Sequence, residues 1–211
     1  MLRIGLFGGS FNPIHFGHLV PAEAAAEQLA LNKLIFIPSA IPPHKQQVGS
    51  NLAAPEHRLE MVRRAVEGHP LFEVSDLELA RSGPSYTIDT IAEFRQRFGL
   101  DVLLHWLIGA DSLAEIAGWH RAGDLIDACR VVTMVRPGWP IDAALARLRG
   151  KLSDERIERL AAGVLATPAV EISATQVRHR VSAGKFIRYL VPSLVARYIA
   201  DKQLYQGVER S

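Results

Sequence analysis

The sequence has little of what several protein classes require. Its single cysteine, Cys129, excludes an internal disulfide and any Cys-x-x-Cys zinc or redox motif. The 24 Lys and Arg nearly cancel the 22 Asp and Glu, and a net charge of +2 provides no broad basic surface for nucleic acid or an acidic membrane. No apolar run approaches the ~18 residues of a membrane span, and the run in MLRIGLFGG is too short for a signal peptide. We therefore expect a soluble, cytoplasmic protein that binds neither nucleic acid nor membrane; the sequence leaves open whether it forms a homo-oligomer.

The pattern of apolar residues predicts the fold. Hydrophobic residues make up 48% of the 211, enough for one domain over residues 1–211 with a substantial core. Short apolar runs are typical of strands buried on both faces and lie at 2–7, 33–37, 102–108 and 131–135, with a weaker one at 169–172. Segments with helical spacing lie at 59–66, 88–98, 141–148 and 157–164. This alternation predicts an α/β fold with a doubly wound, mostly parallel, Rossmann-like sheet, which binds ligands beyond the carboxyl ends of its strands.

A motif rich in glycine and histidine follows the first predicted strand. The stretch GLFGGSFNPIHFGHLVPAE, residues 5–23, carries Gly8 and Gly9 and then His15 and His18. A helix that begins near Gly17 keeps Pro21 in its first turn and avoids the ~3 kcal/mol cost of an interior proline. Both imidazoles then lie near free amides and the positive end of the helix dipole, which indicates a phosphate site. Two alternatives are histidines that only pack, and a metal pair for which the local sequence offers no third ligand.

A second motif lies late in the chain, in EISATQVRHR at residues 171–180. Ser173 is a candidate N-cap after the weak strand, Thr175 follows in the first turn, and Arg178 lies one turn further on. Alone, the motif fits an ordinary capped surface helix. Beside the first motif it predicts a second anion site, and we expect the C-terminal part from about residue 173 to be helical.

These motifs together resemble the nucleotidylyltransferase superfamily. GGSFNPIHFGH (8–18) is similar to the superfamily's N-terminal motif, and ISATQVR (172–178) to its late motif. Within the superfamily the chain looks most like the bacterial nicotinate-nucleotide adenylyltransferases, through IPPHK (41–45), PSYTIDT (84–90), GADS (109–112) and Trp119. The matches run from residue 2 to about residue 200 and imply a Rossmann-like nucleotidylyltransferase fold.

The resemblance implies an enzyme of NAD biosynthesis that converts ATP and nicotinate mononucleotide to nicotinate adenine dinucleotide and pyrophosphate. It implies catalytic roles for His15, His18, Lys45 and Arg178, with His18 nearest the transition state. The further ATP-binding residues that it implies are Gly8, Gly9, Ser10, Gly109, Asp111, Ser173 and Thr175. The residues implied for the pyridine nucleotide are His44, Lys45, Tyr86, Thr87 and Trp119. Magnesium is implied through the ATP phosphates, with no dedicated protein cage.

The residue types fit this chemistry independently. A phosphate oxygen is already anionic at neutral pH, so the reaction needs no activated serine or cysteine and no general base, and the sequence offers no obvious candidate for either. What it needs is in-line positioning and donors that stabilise charge around the α-phosphorus. Structural roles stay open for several residues: Trp119 in the core, Asp111 and Thr87 as helix caps, and Lys45 as a solvated side chain on a predicted mobile loop over 38–51.

Other functions remain as alternatives. A phosphopantetheine adenylyltransferase has the same fold, but its chains are typically shorter and lack the SYT and Trp119 features. A nicotinamide-preferring enzyme would differ in only a few polar contacts. A non-catalytic nucleotide sensor would lose a phosphate-handling residue, whereas this chain keeps His15, His18 and Arg178. A class I aminoacyl-tRNA synthetase fragment would need a KMSKS-like segment and a tRNA-binding extension, which are missing here.

Overall fold

A computed structural model describes residues 1–40, 52–135 and 139–206. Its strands are β1 (Leu2–Gly9), β2 (Lys33–Pro38), β3 (Phe72–Val74), β4 (Val102–Gly109), β5 (Arg130–Val135) and β6 (Val164–Ala166). They form one sheet in the order β3-β2-β1-β4-β5-β6, and every neighbouring pair is parallel. The predicted α/β class and doubly wound parallel sheet are confirmed. Because the strand order reverses at β1, the topological switch point lies between β1 and β4.

Helices cover both faces of the sheet. They are α1 (Phe16–Gln28), α2 (Pro55–Val66), α3 (Leu77–Ala80), α4 (Thr87–Phe98), α5 (Ala110–Glu115), α6 (Ala122–Ala128), α7 (Ile141–Ala146), α8 (Asp154–Ala161), α9 (Ala174–Ser182) and α10 (Ser193–Asp201). One core cluster packs α1, α2, α9 and α10 against the sheet, and a second packs α4 to α8 against the opposite face. Within the described ranges no helix is both long and apolar enough to cross a membrane.

Three predictions at the edges of the sheet are wrong or incomplete. Residues 169–172, predicted as a weak strand, have no regular structure. The edge strand is β6 instead, and its first residue, Val164, was assigned by its spacing to the preceding helix. The edge strand β3 was not predicted. Both edge strands are only three residues long, too short to show an alternating or continuous apolar pattern.

Candidate active site

A cleft of about 1050 Å³ opens at the carboxyl ends of β1 and β4, on the switch point. The predicted site residues that line it are Gly8, Gly9, Ser10, His15, His18, Tyr86, Thr87, Gly109, Asp111, Trp119 and Ser173. They come from five separate stretches of chain, which the parallel strands bring to one edge of the sheet. The structure therefore assembles most of the predicted site in one place.

The two histidines form the start of α1. His15 is the N-cap residue and His18 is the third helical residue, as the sequence predicts. The His15 backbone N–H donates to Nδ1 of His18 over 3.3 Å, so a neutral His18 carries its proton on Nε2. The two rings stack with their centroids 3.8 Å apart. His15 is only 5% exposed, and burial lowers its pKa from 6.5 to about 4, so it is uncharged at neutral pH.

Pro21 lies further from the start of α1 than predicted. The helix begins at Phe16, one residue before the predicted start, and Pro21 is its sixth residue, in the second turn and not the first. The absent proline N–H leaves the carbonyl of Gly17 without its helical partner. The predicted helix start would have avoided the loss of this hydrogen bond. In the structure the bond is lost, in a turn that lines the cleft.

Gly17 brings the two motifs into contact. A Cβ on this residue would lie 2.7 Å from the carbonyl oxygen of Ile172 and 2.9 Å from Nδ1 of His15. Only a residue without a side chain lets the first turn of α1 approach both groups so closely. Gly8 is constrained in a similar way, because a Cβ there would lie 2.5 Å from the Trp106 ring on β4. Packing therefore adds a reason for Gly8 beyond the expected approach of an anion.

Hydrogen bonds from distant segments hold the loop between β1 and α1. Asn12 is buried, and its Oδ1 accepts from the Tyr205 hydroxyl at 2.8 Å and from the Ala53 amide at 3.0 Å. Its carbonyl accepts from Nη1 of Arg178 at 2.8 Å. Phe11 has a positive φ of 42°, and its ring is almost fully buried. This loop is thus fixed by packing and hydrogen bonds on the side away from the cleft.

The late motif starts α9 as predicted. Ser173 is the N-cap, and its Oγ accepts from the Gln176 amide at 3.1 Å. Thr175 accepts from Nη2 of Arg178 at 3.1 Å. Arg178 and Thr175 do not line the cleft itself; the guanidinium lies between Thr175 and the carbonyl of Asn12 and so links α9 to the first motif.

The other side of the cleft is built around the end of β4 and the start of α4. Gly109 ends β4, and Asp111 follows in the first turn of α5, exposed at the cleft. Tyr86 is the N-cap residue of α4 and Thr87 the first helical residue, with no side-chain cap hydrogen bond. Trp119 is half-buried: it packs against the core and also lines the cleft.

An aromatic pair adds to this side. The Tyr86 ring stacks on His120, with centroids 4.2 Å apart, and both residues line the cleft. No role for His120 was predicted from the sequence. Glu78, which the sequence analysis also missed, lines the cleft nearby, almost fully buried, and accepts from the Thr90 hydroxyl at 2.7 Å. Burial raises its pKa.

Arg58 is a third residue that the sequence does not predict as part of the site. It is fully buried in α2, and its guanidinium reaches the carbonyl of Ser10 in the first motif. A signal was present, because Arg58 shares the buried stripe of α2 with Met61, Val62 and Val66. An arginine buried on an apolar stripe needs hydrogen-bond acceptors, whereas the hydrophobic residues beside it need none.

His44 and Lys45, with most of the predicted loop, lie outside the described residues. Among the residues described, no group of three His, Cys, Asp or Glu side chains is arranged to hold a metal ion.

Comparisons with known proteins agree with this geometry. The cytidylyltransferase-like family model matches residues 6–180. A protein of Moorella thermoacetica named "probable nicotinate-nucleotide adenylyltransferase" is 42% identical over 204 residues, which cover 97% of this chain and 92% of that protein. A Thermoanaerobacter protein of the same name is 41% identical over 213 residues, covering 100% and 97%. The solved nicotinic acid mononucleotide adenylyltransferase of Plasmodium falciparum, complexed with NaAD, has the same fold, with a TM-score of 0.76 at 17% identity over 97% of this chain and 98% of that one.

Proposed function

The chain belongs to the nicotinate-nucleotide adenylyltransferase family of cytidylyltransferase-like proteins, and we propose that it transfers the adenylyl group of ATP to nicotinate mononucleotide. The products are nicotinate adenine dinucleotide and pyrophosphate. One observation carries the proposal: the imidazoles at the start of α1, the capped start of α9 and the aromatic residues around α4 line the same cleft. Hydrogen-bond donors for phosphate groups and aromatic side chains that can bind a ring therefore line one cavity.

The reaction exchanges one bond at phosphorus for another. A phosphate oxygen of nicotinate mononucleotide attacks the α-phosphorus of ATP, a P–O bond forms, and the bond to the β-phosphate breaks with pyrophosphate as the leaving group. No proton has to be removed from the attacking oxygen, and the enzyme forms no covalent intermediate. The protein's contribution is to hold two anions in line and to stabilise charge at the α-phosphoryl group.

His15 and His18 supply hydrogen-bond donors at this point. Since burial keeps His15 neutral, it acts through its dipole and not through a full charge. His18, with Nδ1 occupied by the His15 amide, donates from Nε2. The Ser10 side chain and the amides beside Gly8 and Gly9 add donors from the β1 end of the cleft.

The leaving pyrophosphate is held by the start of α9. Ser173 and Thr175 offer hydroxyls at a helix N-terminus, where the dipole favours anions. Arg178 adds a guanidinium that already fixes the loop of the first motif through Asn12. We also assign Lys45 and His44 to the phosphates and the nucleotide, on the resemblance alone.

The remaining contacts divide between the two nucleosides. Gly109 and Asp111 bind the adenosine ribose, since a carboxylate accepts from two hydroxyls. Tyr86, Thr87 and Trp119 bind the pyridine nucleotide, with the indole against the ring. The start of α4 has no side-chain cap, so its first amides favour the carboxylate of nicotinate over the uncharged amide of nicotinamide.

Magnesium enters with the substrate in this proposal. The carboxylates that line the cleft, Glu78, Asp111 and Glu171, belong to separate segments, and Mg²⁺ is commonly held by substrate phosphates and water with only one or two carboxylates. When bound, it neutralises part of the triphosphate charge. We further propose that residues 1–211 act as one catalytic domain, supported by the packing of α9 and α10 into the core around β1, and that it works in the cytoplasm.

A single assay tests the proposal. Pyrophosphate release is measured with MgATP and, separately, nicotinate mononucleotide, nicotinamide mononucleotide and phosphopantetheine. We expect turnover with the first, at a kcat/KM about tenfold or more above the second because of the dipole of α4, and none with the third. Absence of turnover with all three would overturn the catalytic assignment.

A further inference from the structure

Arg58 joins three separate segments behind the cleft. Its Nη1 donates to the carbonyl of Ser10 at 2.9 Å, its Nη2 to that of Ala40 at 3.2 Å, and its Nε to that of Ala53 at 3.0 Å. The side chain has no exposed surface. The first-motif loop, the chain just after β2 and the chain just before α2 are therefore held by one guanidinium, whose planar fork can satisfy several acceptors at fixed angles.

The charged guanidinium of Arg58 donates hydrogen bonds to neutral groups. All three hydrogen-bond acceptors are backbone carbonyls, and among the described residues no carboxylate forms an ion pair with it. Tyr205 and Glu56 act on it electrostatically and raise its pKa, but by less than burial lowers it. Burial lowers the pKa of Arg58, but arginine starts so high that it remains charged at neutral pH. Because no carboxylate in the described ranges pairs with this buried cation, its positive potential favours an anion on the other side of the first-motif loop.

The bond to Ser10 also sets the direction of a peptide plane. In a trans peptide the carbonyl of one residue and the N–H of the next point in opposite directions. With the Ser10 carbonyl held towards Arg58, the N–H of Phe11 points away from Arg58. Gly9, Ser10 and Phe11 all line the cleft. The same bond therefore turns a donor towards the side on which a phosphate would bind.

We propose that Arg58 is a positioning residue for adenylyl transfer, which orients the Ser10–Phe11 peptide and contributes positive potential to the triphosphate end of the cleft. The inference rests on the proposed function. Arg58 touches no substrate in this proposal; it acts through the loop. Its loss should weaken the handling of ATP more than that of the pyridine nucleotide, because Ser10 lies at the triphosphate end of the cleft, whereas Tyr86 and Trp119 lie on another side.

A second arginine provides a matched control. Arg95 in α4 also donates to backbone carbonyls, to Val102 at 2.7 Å and to Ala128 at 3.1 Å. Val102 begins β4 and Ala128 ends α6, two residues before β5, so this clamp lies at the amino ends of the strands, opposite the cleft. A purely structural role for Arg58 predicts that equivalent changes at Arg58 and Arg95 have the same kind of effect.

The experiment compares Arg58→Lys and Arg58→Gln with Arg95→Lys and Arg95→Gln. Thermal unfolding is measured for each, together with KM and kcat when either substrate is varied, and the affinity for inorganic tripolyphosphate is measured by calorimetry. We expect Arg58→Lys to lower kcat/KM for ATP about tenfold and Arg58→Gln to lower it further, because only the lysine keeps the charge. The KM for nicotinate mononucleotide should stay within about twofold, and the Arg95 variants should change only the melting temperature.

Several results would overturn the inference. One is a kcat/KM for ATP within twofold of the wild type in folded Arg58 variants; another is an equal rise of both KM values. Failure of Arg58→Lys to fold, while Arg95→Lys folds, would assign Arg58 to folding alone. If the wild-type protein turned over no substrate, the proposed function would fail, yet tripolyphosphate affinity would still test Arg58: weaker binding by its variants than by the Arg95 variants supports the positioning role, and equal binding refutes it.

Discussion

Two helix N-termini open on the same cleft, and they are built differently. The start of α1 is buried: His15 is its N-cap residue, His18 follows one turn on, and their rings stack. The start of α9 is exposed and uses an ordinary Ser173 cap with hydroxyl and guanidinium groups around it. Burial keeps His15 neutral, and the bond from its backbone N–H fixes the ring of His18, which suits charge that develops at the α-phosphorus. Exposure at α9 suits a group that binds and then leaves.

The largest effect is expected at His18. Replacing it with alanine removes a donor from the transition state, and the loss of one such donor lowers kcat by about 10²–10³-fold. Steady-state kinetics and thermal unfolding should show a large loss of rate with little change in melting temperature. His57→Ala, at a histidine that bonds to Tyr198 between α2 and α10, is the control and should leave the rate unchanged. A lower melting temperature with a normal rate would make His18 structural.

The pH dependence of stability should report the burial of His15. Its pKa is about 4 in the folded protein against an ordinary 6.5, so between these values the unfolded chain binds more protons. The free energy of unfolding therefore has its full value above about pH 6.5 and decreases by about 3 kcal/mol as the pH falls to 4. Urea unfolding of the wild type and of His15→Gln between pH 4.5 and 7 measures this, and the variant should have a shallower slope. Parallel curves would contradict the assignment.

Gly17 tests the contact between the two helix starts. Gly17→Ala places a Cβ against the Ile172 carbonyl and the His15 ring, and we expect it to lose about 2 kcal/mol of stability and to reduce activity. Gly123→Ala is a matched control, since Gly123 is likewise the second residue of its helix, α6. The atoms nearest to its Cβ would belong to the guanidinium of Arg156, at the far end of a flexible side chain and not in the backbone. Denaturant unfolding and initial rates should separate the two, and equal effects would sink the idea that Gly17 joins the motifs.

The smallest effect is expected at the exposed cap. Ser173→Ala should destabilise the protein by about 1 kcal/mol and raise the KM for ATP several-fold, because the cap and a phosphate ligand are lost together. Ser153→Ala removes the equivalent cap of α8, whose Oγ accepts from the Arg156 amide, far from the cleft. It should lower stability by a similar amount without a change in KM. A normal KM in Ser173→Ala would leave Ser173 as a cap only.

The central part of the fold was predictable because its signals are local. Four apolar runs correspond to β1, β2, β4 and β5, and the glycine and histidine motif follows β1 as expected. The edge strands β3 and β6 were not predictable, since they are too short to show a pattern of apolar residues. Val164, the first residue of β6, also fits the helical spacing of the residues before it. The two motifs predicted the phosphate side of the candidate site, and the family resemblance implied the nucleoside side, whereas Glu78, His120 and Arg58 are joined to it only by the folded chain.

The order of amino acids alone establishes the residue types and the alternation that brings strand ends to one edge of a sheet. It predicts His15 just before one helix and Ser173 at the start of another, because helix caps and hydrophobic periodicity depend on residues that are close in the sequence. The folded chain is needed to show that Gly17 lies against Ile172, that Arg178 bonds to Asn12 across 166 positions, and that Arg58 is buried behind Ser10. The reason is physical: burial and contact depend on neighbours that the fold supplies, and these set the charge state of His15 and the direction of the peptides that face the cleft.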